Sequence, residues 1–84
     1  MEGFKTGRLV ISKAGRDKGR ALVIVGTSGE RALVCDGGER PLSRPKSKNP
    51  KHLCLTNEYL TEKDLAGNRA LKKALKEHNE ERYG

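Results

Sequence analysis

Three short apolar runs stand out in the first half of the chain: Leu9-Val10-Ile11, Ala21-Leu22-Val23-Ile24-Val25 and Ala32-Leu33-Val34-Cys35. They are short, rich in β-branched residues and bounded by turn residues, the pattern of strands and not of a helix. Glycine-bearing separators lie between and after them: Ala14-Gly15-Arg16-Asp17-Lys18-Gly19, Gly26-Thr27-Ser28-Gly29 and Asp36-Gly37-Gly38. Tight turns need positive φ, which a side chain resists. Such spacing predicts a meander that closes into a small all-β barrel. Leu53 and Leu55, beyond a polar loop, are expected to supply another strand.

From Glu39 to Lys51 the pattern breaks. This stretch holds Pro41, Pro45 and Pro50, with Leu42 as its one large apolar residue. Proline removes backbone donors and keeps the chain extended, so an irregular loop with at most an edge strand is expected. After residue 56 the period changes again. Thr61-Glu62-Lys63-Asp64 resembles a capping box with Asp in the fourth place. Gly67-Asn68 is expected to interrupt the helix, with Asn68 capping a second one. Leu71, Ala74, Leu75 and His78 then recur at three- and four-residue steps, giving one apolar stripe. Residues 79–84 are expected to fray. The fold class is therefore mainly β, with residues 1–56 as a barrel and residues 57–84 as a short helical extension.

Composition narrows the function. The 84 residues carry a net charge of +7, with 33% apolar and 35% charged residues. A chain of this length buries only about 60% of its unfolded surface, which leaves little room for an enclosed active-site cavity. The charge is unevenly placed. Residues 1–55 contain twelve Lys or Arg against five Asp or Glu, whereas residues 56–84 contain six of each. The excess thus belongs to the barrel, whose field attracts polyanions. In the tail the charges cancel, so nothing draws the helix to phosphate.

The candidate contacts fall in two clusters. Gly15 and Gly19 turn the first loop and let its backbone approach a ligand; Arg16 and Lys18 stand at its tip, with Lys13 and Arg20 at its base. Asp17 suits a residue that caps the turn's own backbone. Arg40, Arg44, Lys46, Lys48 and Lys51 form the second cluster, with His52 either donating to phosphate or sitting at a strand edge. Arginine can fork across two phosphate oxygens, while lysine acts as a mobile point charge. Arg8 and Arg31 suit solvated strand-edge charges. Phe4, Tyr59 and Tyr83 are the only aromatics, and none lies within a basic cluster. Readers of single strands stack bases on exposed rings. The expectation here is recognition of folded or double-stranded RNA through phosphates and shape.

The segment from Gly7 to Arg20, followed by Leu22-Val23-Ile24-Val25, resembles a KOW motif: two strands joined by a loop holding two glycines around charged residues. With Leu33-Val34-Cys35-Asp36-Gly37 and the run from Arg44 to Leu53, the chain is similar to KOW-domain RNA-binding proteins. These are related to the fourteenth-group large-subunit ribosomal proteins of archaea and eukaryotes. The resemblance spans about Phe4 to Thr56. It implies an SH3-like barrel, structured RNA as partner, ribosomal RNA foremost, and association with the large ribosomal subunit. The longer ribosomal relatives carry further helices and extensions.

Other classes are disfavoured. The sequence lacks a P-loop, GxSxG, HExxH, or carboxylates clustered near a histidine, so no enzyme, small-molecule substrate or cofactor is expected. Cys35, His52 and Cys54 match no standard zinc spacing, and no metal is expected. His52 and Cys54 share a strand face if both are extended, but a Cys-His pair without an oxyanion site is more often structural. The N-terminal Met-Glu-Gly-Phe-Lys lacks the apolar run of a secretion signal, and no stretch approaches the roughly 20 apolar residues of a membrane span. A reducing cytoplasm with free thiols is the expected setting. The alternative function is a protein-interaction module of the transcription or translation machinery, docking through the barrel or the helical tail.

Overall fold

The computed structural model describes residues 2–83, with side chains through residue 79. Five strands form one antiparallel sheet: β1 (Arg8–Ser12), β2 (Ala21–Ser28), β3 (Arg31–Cys35), β4 (Lys46–Lys48) and β5 (Leu53–Tyr59). Their order is β4-β3-β2-β1-β5. A short 3-10 turn at Pro50–His52 precedes β5, and one helix, α1 (Asn68–Tyr83), ends the described chain. The three apolar runs became β1, β2 and β3, and the proline-rich stretch contributes only the three-residue edge strand β4.

Register explains why those runs are nearly continuous in apolar residues. Leu9 pairs with Val23 and Val10 with Leu22. Leu9, Val10, Ala21, Leu22, Val23 and Ile24 are all buried. Successive strand residues face opposite ways, so β1 and the first half of β2 are covered on both faces. On one face Val10, Leu22, Ile24, Ala32, Val34 and Leu53 pack together, joined by Phe4 and Leu55. On the other, Leu9, Ala21, Val23 and Cys35 pack under Leu71 and Leu75 of α1.

Packing residues of β1, β2, β3 and β5 into the first cluster requires a curled sheet. Two register shifts help, one in β1 between Arg8 and Val10 and one in β2 between Ile24 and Gly26. Such bulges increase local twist and bend the strand. The barrel is open: β4 and β5 are the two edges of the sheet and are not paired with each other.

The apolar stripe of the helix packs on the sheet, one of the two settings expected for it, while the boundary and the caps of the tail depart from expectation. The boundary drawn after residue 56 falls inside β5, which continues to Tyr59. The helix is part of the core, because Leu71 and Leu75 are as buried as the strand residues they cover. Burying a leucine contributes about 1.5–3 kcal/mol, so these two are a large share of a small domain's stability. Thr61 and Asp64 do exchange capping-box hydrogen bonds: the Thr61 N–H donates to Asp64 Oδ2 at 3.0 Å and the Asp64 N–H to Thr61 Oγ1 at 3.3 Å. They close only a turn. Asn68 does not cap with its side chain as expected; its Oδ1 accepts the Leu42 N–H at 2.7 Å, fastening the β3–β4 loop to the helix. The expected fraying covers residues 79–84; of these, residues 79–83 are helical and Gly84 lies outside the described residues, and Asn79 Oδ1 accepts the Ala21 N–H at 2.8 Å. His78 Nε2 lies 3.0 Å from Glu58 Oε2, a further tie to β5.

Candidate nucleic-acid interface

The β1–β2 loop is built by its own backbone. Gly19 N–H donates to Ser12 O at 2.8 Å, Lys18 N–H to Gly15 O and Arg20 N–H to Asp17 O, so the loop folds back within a few residues. Gly15 and Gly19 have φ of +86° and +88°, conformations that cost an L side chain strain. This tight path leaves Lys13, Arg16, Lys18 and Arg20 exposed around the loop.

Lys48 corrects the expected phosphate set. It is only 6% exposed, on β4, opposite Ala32 in register. Its Nζ donates to Asp17 Oδ1 at 2.7 Å, Ser12 Oγ at 2.8 Å and Ala14 O at 3.0 Å. An ammonium has three N–H groups, and all three are taken. Lys48 therefore cannot serve RNA. It clamps the β1–β2 loop to the edge strand.

Asp17 likewise does more than close its own turn. Its side chain is 15% exposed, and Oδ1 meets both Lys48 and the Ser12 hydroxyl. Burial alone would raise its pKa. The hydrogen bonds from Lys48 and Ser12, together with the Lys48 charge, outweigh that and hold the carboxyl below the ordinary 3.8. Its Oδ2 is buried without a hydrogen-bond partner among the described residues, so the pair is held by one oxygen. The loop's single carboxylate is thus neutralised from below, and the field of its four exposed cations is left uncancelled.

The 3-10 turn joins this surface. Lys13 N–H donates to His52 O at 2.7 Å, which sets the turn beside the base of the loop. Asn49 Oδ1 accepts the Lys51 N–H at 3.0 Å and caps the turn. Lys51 and His52 are exposed there. The structure therefore brings Lys51 and His52 together with the loop bearing Lys13, Arg16 and Lys18. Lys46 is half-buried two residues before Lys48 on β4, opposite Val34.

Arg40 and Arg44 are placed differently. Both lie in the β3–β4 loop, Arg40 half-buried and Arg44 exposed. The contacts that position this loop run to α1: the Leu42–Asn68 hydrogen bond, and Gly37 packed against the backbone of Asn68 and Lys72. The second predicted cluster is thus divided between the 3-10 turn and the helix side. Arg31 binds the Ser47 side chain at 2.7 Å across β3 and β4. Arg8 binds Thr56 O at 2.7 Å and lies 5.4 Å from the Tyr59 ring centre. Both arginines hold the sheet together.

Sequence reading missed a group of helical cations. Arg69, Lys72 and Lys73 stand with Arg20 around a groove beside α1. The available signal was their spacing of three and four residues, with Lys76 next in the series, which places them on one helix face. Counting net charge over the whole tail concealed it.

Cys35 is buried and its thiol is pushed up to about 11, first by burial and then by the Asp36 charge, which makes it a poor nucleophile at neutral pH. Cys54 is exposed and its Sγ contacts Leu55 O at 3.9 Å. Among the described residues no three His, Cys, Asp or Glu side chains gather as a metal site. No helix among them is long and apolar enough to cross a membrane. No protein-family model matches the chain, and no curated protein shows significant similarity to it.

Proposed function

We propose that this protein is a non-enzymatic, KOW-type RNA-binding protein that grips structured RNA through its phosphates. The carrying observation is the Lys48–Asp17 clamp. It removes the loop's only carboxylate from the surface electrostatics and holds the exposed Lys13, Arg16 and Lys18 beside Lys51 and His52. A preformed cationic surface loses less ordering entropy on binding than a flexible basic tail does. Recognition by phosphates and shape suits the available aromatics: Tyr59, 52% exposed, is the one large exposed apolar side chain among the described residues, and Arg8 lies over its ring. The resemblance of Gly7–Arg20 and Arg44–Leu53 to ribosomal KOW proteins makes ribosomal RNA in the cytoplasm the preferred partner.

The rival reading is a protein-interaction module docking through the barrel or the helical tail, and the tail offers it little apolar surface. The apolar stripe of α1 on which such docking would rest is covered by the sheet.

Fluorescence anisotropy with a base-paired RNA hairpin tests the proposal. Log affinity should fall with log salt by roughly 0.9 for each phosphate neutralised, so four loop and turn cations give a slope near −3 to −4. Replacing Arg16 and Lys18 with Ala should reduce that slope by about 2. A salt-independent response, or a slope unchanged in the double variant, would remove the basis of the proposal.

A further inference from the structure

The helix side of the molecule carries a groove of about 830 Å³ whose walls come from three places in the sequence. Arg20, just before β2, forms one part of the wall; Arg69, Lys72 and Lys73 of α1 form another; Asp36 and Glu39 of the β3–β4 loop complete it. Arg20, Arg69, Lys72 and Lys73 are all exposed. Asp36 is committed within its loop, its Oδ1 accepting the N–H groups of Gly38 at 2.8 Å and Arg40 at 2.9 Å. Asp36 keeps its charge, so among the described residues the lining holds two carboxylates, Asp36 and the exposed Glu39, and its cations outnumber them. The first turn of α1 contains no acidic residue.

The groove is also rigidly floored. A Cβ on Gly37 would lie 2.4 Å from Asn68 O and 2.9 Å from Lys72 N, so loop and helix backbones are in direct contact there. The Leu42–Asn68 and Ala21–Asn79 hydrogen bonds fix the helix to the loop and to β2. Like charges gathered on a fixed surface repel one another, and the arrangement is relieved by an anion. Arg20 is the link between this groove and the loop interface, since it belongs to both.

We infer that this groove seats a second stretch of the RNA's phosphodiester backbone, so that the protein holds structured RNA at two places. The inference rests on the RNA-binding reading above. An extended polyanion fits better than a compact ligand. The charged lining offers forks and point charges for phosphate oxygens, and among the described residues it holds no aromatic side chain to sandwich a base.

The test uses the full-length chain, ¹⁵N-labelled, titrated with an RNA hairpin whose stem has about 16 base pairs, the span over which a compact domain meets successive grooves. Amides of Gly15 and Gly19 report on the loop; those of Gly38, Lys72 and Lys73 report on the groove. In parallel, the salt dependence of binding is measured for the Arg69→Gln/Lys72→Gln/Lys73→Gln variant, whose exposed replacements keep good helix propensity and whose melting curve should match the parent. Both amide sets should move with one affinity, and the variant's slope should fall by roughly 2–3, at 0.9 per lost phosphate contact. Movement of the loop amides alone overturns the groove and leaves the loop reading standing. Movement of the groove amides alone overturns both the loop reading and the two-place inference built on it. Groove shifts with an unchanged slope in the variant are indirect and overturn the inference. A groove that saturates with inorganic tripolyphosphate but ignores the hairpin is a small-anion site, which also overturns it. If neither set moves, both readings fall.

Discussion

Lys48 Nζ and Asp17 Oδ1 lie 2.7 Å apart, joining an edge strand to the loop between the first two strands. The two residues are 31 positions apart in sequence. Their pairing decides which cations remain for a ligand. It also carries a structural burden, because removing one partner strands a mostly buried charge. Lys48→Met should destabilise the protein by about 3 kcal/mol, the low end for a broken buried pair since Asp17 keeps some exposure. Urea denaturation should show a lowered midpoint with an unchanged slope. Arg16→Ala should leave stability within about 0.5 kcal/mol while weakening RNA binding. Equal effects of the two substitutions on stability would refute the separation of clamp from interface.

The same pair gives acid sensitivity of a definite sign. Asp17 is held below its ordinary value in the folded state. Between the folded pKa and the unfolded value of about 3.9 the unfolded chain binds more protons, so lowering the pH favours unfolding. The contribution of Asp17 is complete above about pH 5 and is lost as pH falls through the folded value. The stability difference between the parent and Asp17→Asn should therefore be constant above pH 5 and shrink below about pH 4. A gap that widened on acidification would contradict the assignment.

Two glycines with positive φ should respond differently to alanine. Around Gly29, at φ +60°, nothing lies within 4 Å of a built Cβ, so Gly29→Ala should cost only its backbone strain, about 1 kcal/mol. At Gly37, φ +82°, the same methyl meets the helix backbone at 2.4 Å. Strain and overpacking together should cost about 3 kcal/mol or more. Thermal melts of the two variants decide it, and equal shifts in Tm would mean that α1 is not seated as described.

Thiol chemistry should separate the two cysteines. At pH 8 a disulfide reagent such as DTNB should label Cys54, which is exposed, and spare Cys35, which is buried with its thiol pushed up to about 11. Denaturant should release the second thiol. Rapid labelling of both in the native protein would show that the core beneath α1 opens readily.

Sequence alone determined the strands and their order along the chain. Runs such as Ala21–Val25 and turns such as Gly15–Gly19 act locally, through backbone preference and the period of apolar residues, and local effects are legible one segment at a time. The spacing of Leu71, Leu75 and His78 likewise announced a helix with one buried face. Tertiary structure decided what those elements do to each other. Lys48 read as one more surface cation because a charge has no address until the fold supplies its partner; bringing Asp17, Ser12 and Ala14 around it made it a buried clamp. The tertiary roles of Asn68, Asn79 and Gly37 were hidden for the same reason, since their partners Leu42, Ala21 and the helix backbone are distant in sequence and meet only when α1 lies on the sheet. The grouping of Arg20 with Arg69, Lys72 and Lys73 follows from the same docking. Charge can be counted in a sequence, but electrostatic potential depends on distance, and only the folded chain sets distances.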